Sequence, residues 1–305
     1  MLDFCIIGAP KSGTTSLFNW LDAHPELQGA SPKETYFFMD DSHPLCGMHG
    51  INYHVDGIPA YDRFFKANQS QTKRFEATTQ YYYQHTAREY LTSLRPQPFI
   101  FMLLREPADK ILSSFRFTRD NLAYCDPALT FNHYVDCLLH DNTSKLDDFF
   151  RSEGSLCIAR KELELSRYVA WIDWWLEVLQ RDRLELIVFD QLKREPNVVM
   201  AHLSNRLDID PGFYDGFEFG QDNATYAVGN QTVHRILRPL GSYLPGGTVK
   251  DYLKRKYLTW QHSKATPDSD YEDGLKALRE YFAPWNQELA NRYDLSLDYW
   301  WGSIA

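Results

Sequence analysis

The sequence predicts an α/β fold in three layers, a central parallel β-sheet flanked by helices. Three observations predict it. Apolar runs of strand length, FCIIGA, PFIFMLLR and LELIVFD, alternate with stretches of helical pattern. Those runs are continuous rather than alternating apolar and polar, as in parallel strands covered on both faces. A turn rich in Gly, Pro and Ser joins the first run to the first helix, and strand–helix alternation of this kind builds a doubly wound sheet.

The elements follow in order. Asp3 to Ile7 reads as the first buried strand, and Thr14 to Ala23 as a helix ended by Asp22-Ala-His-Pro, since proline disfavours helix in the residue before it. Residues 40–60, with Gly47, Gly50, Gly57, Pro44 and Pro59, read as loop, and Tyr61 to Phe65 as a short helix. Arg74 to Ala77 is a strand, followed by a helix that ends near Arg95-Pro96. PFIFMLLR lies between Pro98 and Glu106-Pro107, and Pro107 suits the first turn of a helix running to about Asn121. Helices are expected over 130–150 and 161–181, a strand over 184–190, and irregular chain over 208–248. Glu272 to Tyr293 carries apolar residues at 275, 278, 282, 285 and 289, the stripe of a helix with one buried face. The 305 residues suit a single domain, 1–305, with irregular substrate-side insertions about 40–65 and 208–265.

Composition narrows the partners. Hydrophobic residues make up 44% and aromatics 15%, enough for a sizeable core and for an acceptor cleft lined by rings. Asp and Glu outnumber Lys and Arg by 41 to 32, a formal charge of −9, the opposite of a phosphate-backbone binder. No nucleic-acid partner is expected, and long polyanions are disfavoured. Five cysteines, odd in number and scattered, show neither a disulfide framework nor zinc-ligand spacing, so no metal is expected. The opening apolar run is short and lacks a basic leader, which points to a cytoplasmic protein without a membrane span.

The chemistry concentrates at strand ends. Gly8-Ala-Pro-Lys11-Ser12-Gly13-Thr14-Thr15-Ser16 sits between a strand and a helix, the layout of a P-loop-type phosphate site: amides and the positive end of the helix dipole face the anion. The nucleoside-triphosphatase pattern needs lysine directly after the second glycine. Here Gly13 is followed by Thr14 and the lysine stands at 11, where its ammonium group can meet the bridging oxygen of a phosphosulfate. A plain Gly/Ser turn is the structural alternative. Farther on, Leu104-Arg105-Glu106-Pro107 opens a helix bearing Ser113 two turns in, and an Arg fork plus a hydroxyl makes a receptor for a second phosphate. Alternatively Arg105 pairs with a helix carboxylate and Ser113 is ordinary helix surface.

Taken together, these segments resemble the 3′-phosphoadenosine 5′-phosphosulfate-dependent sulfotransferases, especially the heparan-sulfate-type branch and its bacterial relatives. Pro10-Lys-Ser-Gly-Thr-Thr-Ser-Leu17 is similar to the family's 5′-phosphosulfate loop, and Leu104-Arg-Glu-Pro with Ser113-Ser-Phe-Arg116 to its 3′-phosphate motif. Ala30-Ser-Pro-Lys33-Glu34-Thr-Tyr-Phe-Phe38 resembles the segment carrying the catalytic glutamate. Phe75-Glu76-Ala77-Thr-Thr-Gln-Tyr81 resembles a substrate-side strand end, and Leu186-Ile-Val-Phe-Asp190 a later core strand. Ser263-Lys264-Ala-Thr-Pro267 resembles the loop that closes over the nucleotide. Two departures stand out: Ala77 replaces a lysine common in heparan-type enzymes, and the cysteine pair near the C-terminal loop is missing.

The resemblance implies a sulfuryl transfer from that donor to an acceptor hydroxyl or amine by in-line displacement, releasing adenosine 3′,5′-bisphosphate without a metal. It implies Lys11, Ser12, Gly13, Thr14, Thr15, Ser16, Arg105, Ser113 and Lys264 around the donor, with Lys11 at the leaving oxygen. Glu34 is the expected general base, with His54 and His85 as rivals because imidazole titrates near neutrality. Lys33, Glu76 and His85 are expected on the acceptor side. The acceptor classes are a small molecule, a saccharide or a carrier-bound acyl chain. An ATP-dependent small-molecule kinase on the same loop architecture, and a non-catalytic nucleotide-binding protein, are the competing readings.

Overall fold

The computed structural model describes residues 2–66, 72–220 and 271–301. Along them run β1 (Phe4–Gly8), α1 (Thr14–Asp22), β2 (Leu27–Gly29), α2 (Tyr53–Asp56), β3 (Lys73–Glu76), α3 (His85–Ser93), β4 (Phe99–Leu104) and α4 (Pro107–Arg116). There follow α5 (Phe131–Leu139), α6 (Glu153–Arg160), α7 (Glu162–Leu165), α8 (Tyr168–Leu176) and β5 (Leu184–Val188). The chain continues through α9 (Phe189–Arg194), α10 (Pro196–Leu207), α11 (Glu272–Tyr293) and α12 (Asp298–Trp301). Two compact units divide these elements: among the described residues, 2–106, 167–220 and 284–301 form the first, and 107–166 with 271–283 the second.

The first unit holds a five-stranded sheet in the order β2-β3-β1-β4-β5, with every pairing parallel. β1 is central and wholly buried, which explains why FCIIG carries no polar side chain. Phe4 stacks on Phe75 of β3 with centroids 4.5 Å apart and meets Phe101 of β4 at 5.2 Å. On that face the core gathers Leu17, Phe18 and Leu21 of α1 with Val199, Met200 and Leu203 of α10. Side-chain alternation sends Cys5, Ile7, Ile100, Met102 and Leu104 to the other face, where they are buried too. Each such side chain contributes about 1.5–3 kcal/mol on leaving water. The expected three-layer architecture around a parallel sheet is the one observed.

The differences from expectation are local. β2 is a three-residue edge strand, too short to show a pattern. Its Gly29 is required by space, since a Cβ there would stand 2.5 Å from Phe18 and 2.8 Å from the Asp22 carboxylate. The single helix expected over 130–150 is α5, capped at its start by the Thr130 side chain and followed by Asp141 at φ 55°, a conformation no helix continues through. α6 then starts afresh on Ser152, whose hydroxyl accepts from the Ser155 amide. The helix expected over 161–181 is broken at Ser166–Arg167 into α7 and α8. Within 40–60, Asn52 caps the short helix α2.

The second unit is helical. Phe115 of α4 stacks on Tyr134 of α5 at 5.3 Å, and Arg279 of α11 pairs with Asp109 at 3.0 Å. At its centre Lys110 of α4, with no exposed surface, donates to the equally buried Glu162 of α7 and to the Ser166 hydroxyl at 3.2 Å. Breaking a buried pair leaves one uncompensated charge, at a cost of about 3–5 kcal/mol, whereas replacing both partners by apolar groups is far cheaper. Lys110→Met is therefore expected to lower the denaturant midpoint strongly, and Lys110→Met with Glu162→Leu to recover most of it. Equal midpoints for the single and double variants in a urea titration would refute this account.

Candidate functional site

The site is built where β1 releases the chain. Ala9 donates to the Leu103 carbonyl of β4 at 2.8 Å, so the loop begins anchored to its neighbour strand. Lys11 at φ 65° and Gly13 at φ 87° both take left-handed backbone, which wraps residues 9–13 into a cradle before α1 starts at Thr14. At Gly13 a side chain is excluded twice, by that φ and by the Phe189 ring 2.9 Å from where a Cβ would lie. The Ser12 hydroxyl is fully buried and has no hydrogen-bond partner, and Thr14 is buried beside it. An unmet buried hydroxyl costs about 1–3 kcal/mol; an anion oxygen in the cradle would remove that cost. With the amides and dipole of α1 behind it, the loop suits a phosphate group.

Arg105, at the end of β4, closes the cradle from one side. Its Nη1 donates to the Lys11 carbonyl at 2.9 Å, and its guanidinium lies over the Phe189 ring at 5.0 Å. The Tyr168 hydroxyl donates to the Arg105 carbonyl at 3.0 Å, fixing the strand end. On the other side stands the strap 30–40. Its Glu34 accepts from Lys33 Nζ on Oε1 at 2.8 Å and from the Tyr36 hydroxyl on Oε2. Lys33 also donates to the Ala77 carbonyl at 3.2 Å, tying the pair to the end of β3.

Lys11 feels both flanks. Burial first and the Arg105 charge second lower its ammonium pKa to about 8, with Glu34 working in the opposite sense. Lysine, arginine and glutamate from three separate segments thus share one electrostatic environment at the C-terminal edge of the sheet, where open α/β sheets bind ligands.

Other expected site residues lie elsewhere. Glu76, expected to touch the acceptor, is fully buried. It accepts from Thr78 at 2.6 Å, Thr35 at 2.7 Å and Tyr61 at 2.5 Å, and burial nonetheless raises its pKa. It is a structural anchor of the strap. His54 and His85 are exposed. His54 Nε2 lies 3.0 Å from the Met39 carbonyl, and His85 meets the Trp174 ring at 4.9 Å. Thr15 and Ser16 follow in the first turn of α1, and Ser113 is half-buried on α4 in the second unit. Lys264 lies outside the described residues.

Two residues were missed in the sequence. Tyr36, at φ 52°, turns its hydroxyl onto Glu34, and burial with that carboxylate pushes its own pKa far up. A histidine that reaches Glu34 is His49, with Nε2 at 2.9 Å from the Glu34 carbonyl. Asp41, Cys46 and His54, which no sequence motif groups, bring ligand atoms within 4.8 Å of one another. Folding of one loop, rather than a spaced motif, creates that group.

The comparisons with known proteins agree with this geometry. The model of the sulfotransferase domain family matches residues 2–217. A bifunctional heparan sulfate N-deacetylase/N-sulfotransferase 1 from Caenorhabditis briggsae is 26% identical over 214 residues, covering 68% of this chain and 22% of the relative. The Homo sapiens protein of that name is 29% identical over 208 residues, with 67% and 22% covered. The chain therefore spans less than a third of the length of these relatives. A solved sulfotransferase from Alicyclobacillus acidocaldarius superposes with a TM-score of 0.63 at 19% identity, covering 98% of both chains, which shows the same fold. With the family matched across the phosphate cradle, the strap and the whole sheet, the chain belongs to the sulfotransferase domain family.

Proposed function

We propose that the chain transfers the sulfuryl group of 3′-phosphoadenosine 5′-phosphosulfate to a saccharide hydroxyl or amine, with Lys11 and Glu34 as its two catalytic side chains. One observation carries this reading: an ammonium group in a phosphate cradle, electrically coupled to a carboxylate on the facing strap. The donor supplies an activated sulfuryl group on a phosphate leaving group. Ser12, Gly13, Thr14, Thr15 and Ser16 would hold its 5′-phosphate, and Arg105 the remainder of the nucleotide. Saccharide acceptors are favoured by the relatives, which are named for heparan sulfate. The five free thiols support a reducing, cytoplasmic setting.

In this mechanism the acceptor oxygen or nitrogen bonds to sulfur as the bridging sulfur–oxygen bond breaks. The bridging oxygen departs with the phosphate, and Lys11 neutralises its growing charge. The acceptor proton passes to Glu34. Lys33 and Tyr36 hold that carboxylate in place, and each of its oxygens keeps a further lone pair with which to accept. His54 and His85, with their partners on Met39 and Trp174, are the weaker candidates for the base.

Two outcomes follow. At saturating donor, Lys11→Ala is expected to lower kcat about a hundredfold, corresponding to ~3 kcal/mol of lost transition-state stabilisation. Glu34→Gln is expected to lose about 10²–10⁴-fold, whereas Arg105→Ala chiefly weakens binding of adenosine 3′,5′-bisphosphate. A labelled-sulfate transfer assay across saccharide, small-alcohol and carrier-bound acceptors measures this, and undiminished turnover by Lys11→Ala or Glu34→Gln would exclude the assignment.

The second outcome concerns pH. Because Lys11 is charged below its pKa of about 8 and neutral above it, kcat/KM for the donor is expected to fall as pH rises through about 8. Arginine stays charged throughout, so Lys11→Arg should move the descending limb to higher pH. A limb at unchanged pH in that variant would mean that another group titrates there.

A further inference from the structure

Residues 39–54 read Met-Asp-Asp-Ser-His-Pro-Leu-Cys-Gly-Met-His-Gly-Ile-Asn-Tyr-His and contain six acid, thiol or imidazole side chains: Asp40, Asp41, His43, Cys46, His49 and His54. Three of them hold the loop itself. Asp40 accepts from the His85 and Thr86 amides at 3.2 and 2.7 Å, capping α3. His43 accepts from the Leu45 amide at 3.2 Å and meets the Tyr83 hydroxyl at 3.3 Å. His49 is engaged by the Glu34 carbonyl.

The other three converge. Two successive turns, His43 amide to Asp40 carbonyl and Cys46 amide to His43 carbonyl, coil the chain so that Cys46 comes back beside Asp41. Gly47 and Gly50, both at positive φ, then reverse it toward α2, which delivers His54. The Met39 carbonyl orients two of them, lying 3.0 Å from His54 Nε2 and 4.0 Å from Cys46 Sγ. The result is one carboxylate oxygen, one sulfur and one imidazole nitrogen, all within 4.8 Å of one another.

We propose that Asp41, Cys46 and His54 form a zinc site. Sulfur, nitrogen and carboxylate oxygen together match the borderline-soft character of Zn²⁺ and disfavour Mg²⁺ or Ca²⁺, which take oxygen. Tetrahedral bonds of about 2.0–2.3 Å place ligand atoms about 3.5 Å apart. The group closes by roughly 1 Å on that geometry, which rotation of the exposed Asp41 and His54 side chains allows. The fourth position takes water. Cys46 binds as thiolate, and its proton passes to solvent on binding, so affinity rises with pH. The ion staples the loop to α2 and so steadies the segment from which His49 holds Glu34. This proposal stands on the loop alone and does not depend on the reaction assigned above.

The experiment uses the full chain without an affinity tag, reduced and stripped with a chelator, titrated with Co²⁺ and then with competing Zn²⁺. One equivalent of Co²⁺ is expected to give a near-ultraviolet thiolate-to-cobalt band and the visible bands of a four-coordinate ion, displaced by Zn²⁺. Cys46→Ser should abolish the thiolate band, while Asp41→Asn and His54→Gln should each weaken Zn²⁺ binding about tenfold or more. Cys157→Ser, on α6, should change nothing. Absence of the band in the unaltered chain overturns the site, as does its persistence in Cys46→Ser. Unaltered Zn²⁺ affinity in Asp41→Asn and His54→Gln overturns it as well.

Discussion

The Arg105 guanidinium on the Lys11 carbonyl, at 2.9 Å, joins the ends of the two central strands and sets the shape of what lies between them. β1 is the middle strand, paired on both sides by β3 and by β4, so its exit has a structured strand end on each flank. Arg105 supplies one flank, and the strap tied to Ala77 supplies the other. Lys11 stands in left-handed backbone between them, a conformation that costs about 1 kcal/mol for a residue with a Cβ and is held by its surroundings. The displaced titration of its ammonium group is the electrostatic consequence of that position.

The strap depends in turn on a buried carboxylate. Glu76 ends β3 beneath it and gathers hydroxyls from three segments: Thr35 of the strap, Thr78 after the strand and Tyr61 of the loop before it. Tyr81 joins through Thr35 and accepts from the Phe38 amide. Burying a carboxyl is costly, and its raised pKa records that cost. Three short hydroxyl bonds offset it and specify a single arrangement of the strap. Glu34 owes its place to this network, one residue from Thr35. Glu34 and Glu76 thus divide the labour: one exposes a carboxylate to the cleft, and the other anchors the segment that carries it.

How much of this was legible in the sequence follows from what each part depends on. Strands buried on both faces must be continuous apolar runs, so β1 and β4 declared themselves, and with them the cradle and Arg105 at their ends. α11 was legible to the residue because its stripe is unbroken. β2 has three residues and no period. α5 and α7 stop short because of Asp141 and Ser166–Arg167, local backbone choices that periodicity does not encode. Tyr36 was missed because only its positive φ turns the hydroxyl onto Glu34. Glu76 was misplaced because a carboxylate at a strand end reads alike whether it faces a cleft or a core. The three ligands of the 39–54 loop have no motif spacing, since two turns and two glycines bring them together.

The local charge at this edge runs against the charge of the whole chain. Lys11, Lys33 and Arg105 face a single carboxylate, Glu34, whereas the protein as a whole carries −9. At physiological ionic strength such fields fade over about 8 Å. A compact anion delivered to the cradle therefore meets the positive edge, whatever the sign of the whole chain. Lys33 is already committed to Glu34 and to the Ala77 carbonyl, and Ala77 itself carries no charge, so the strap adds little further positive charge. The arrangement favours an anionic group held close in the cradle.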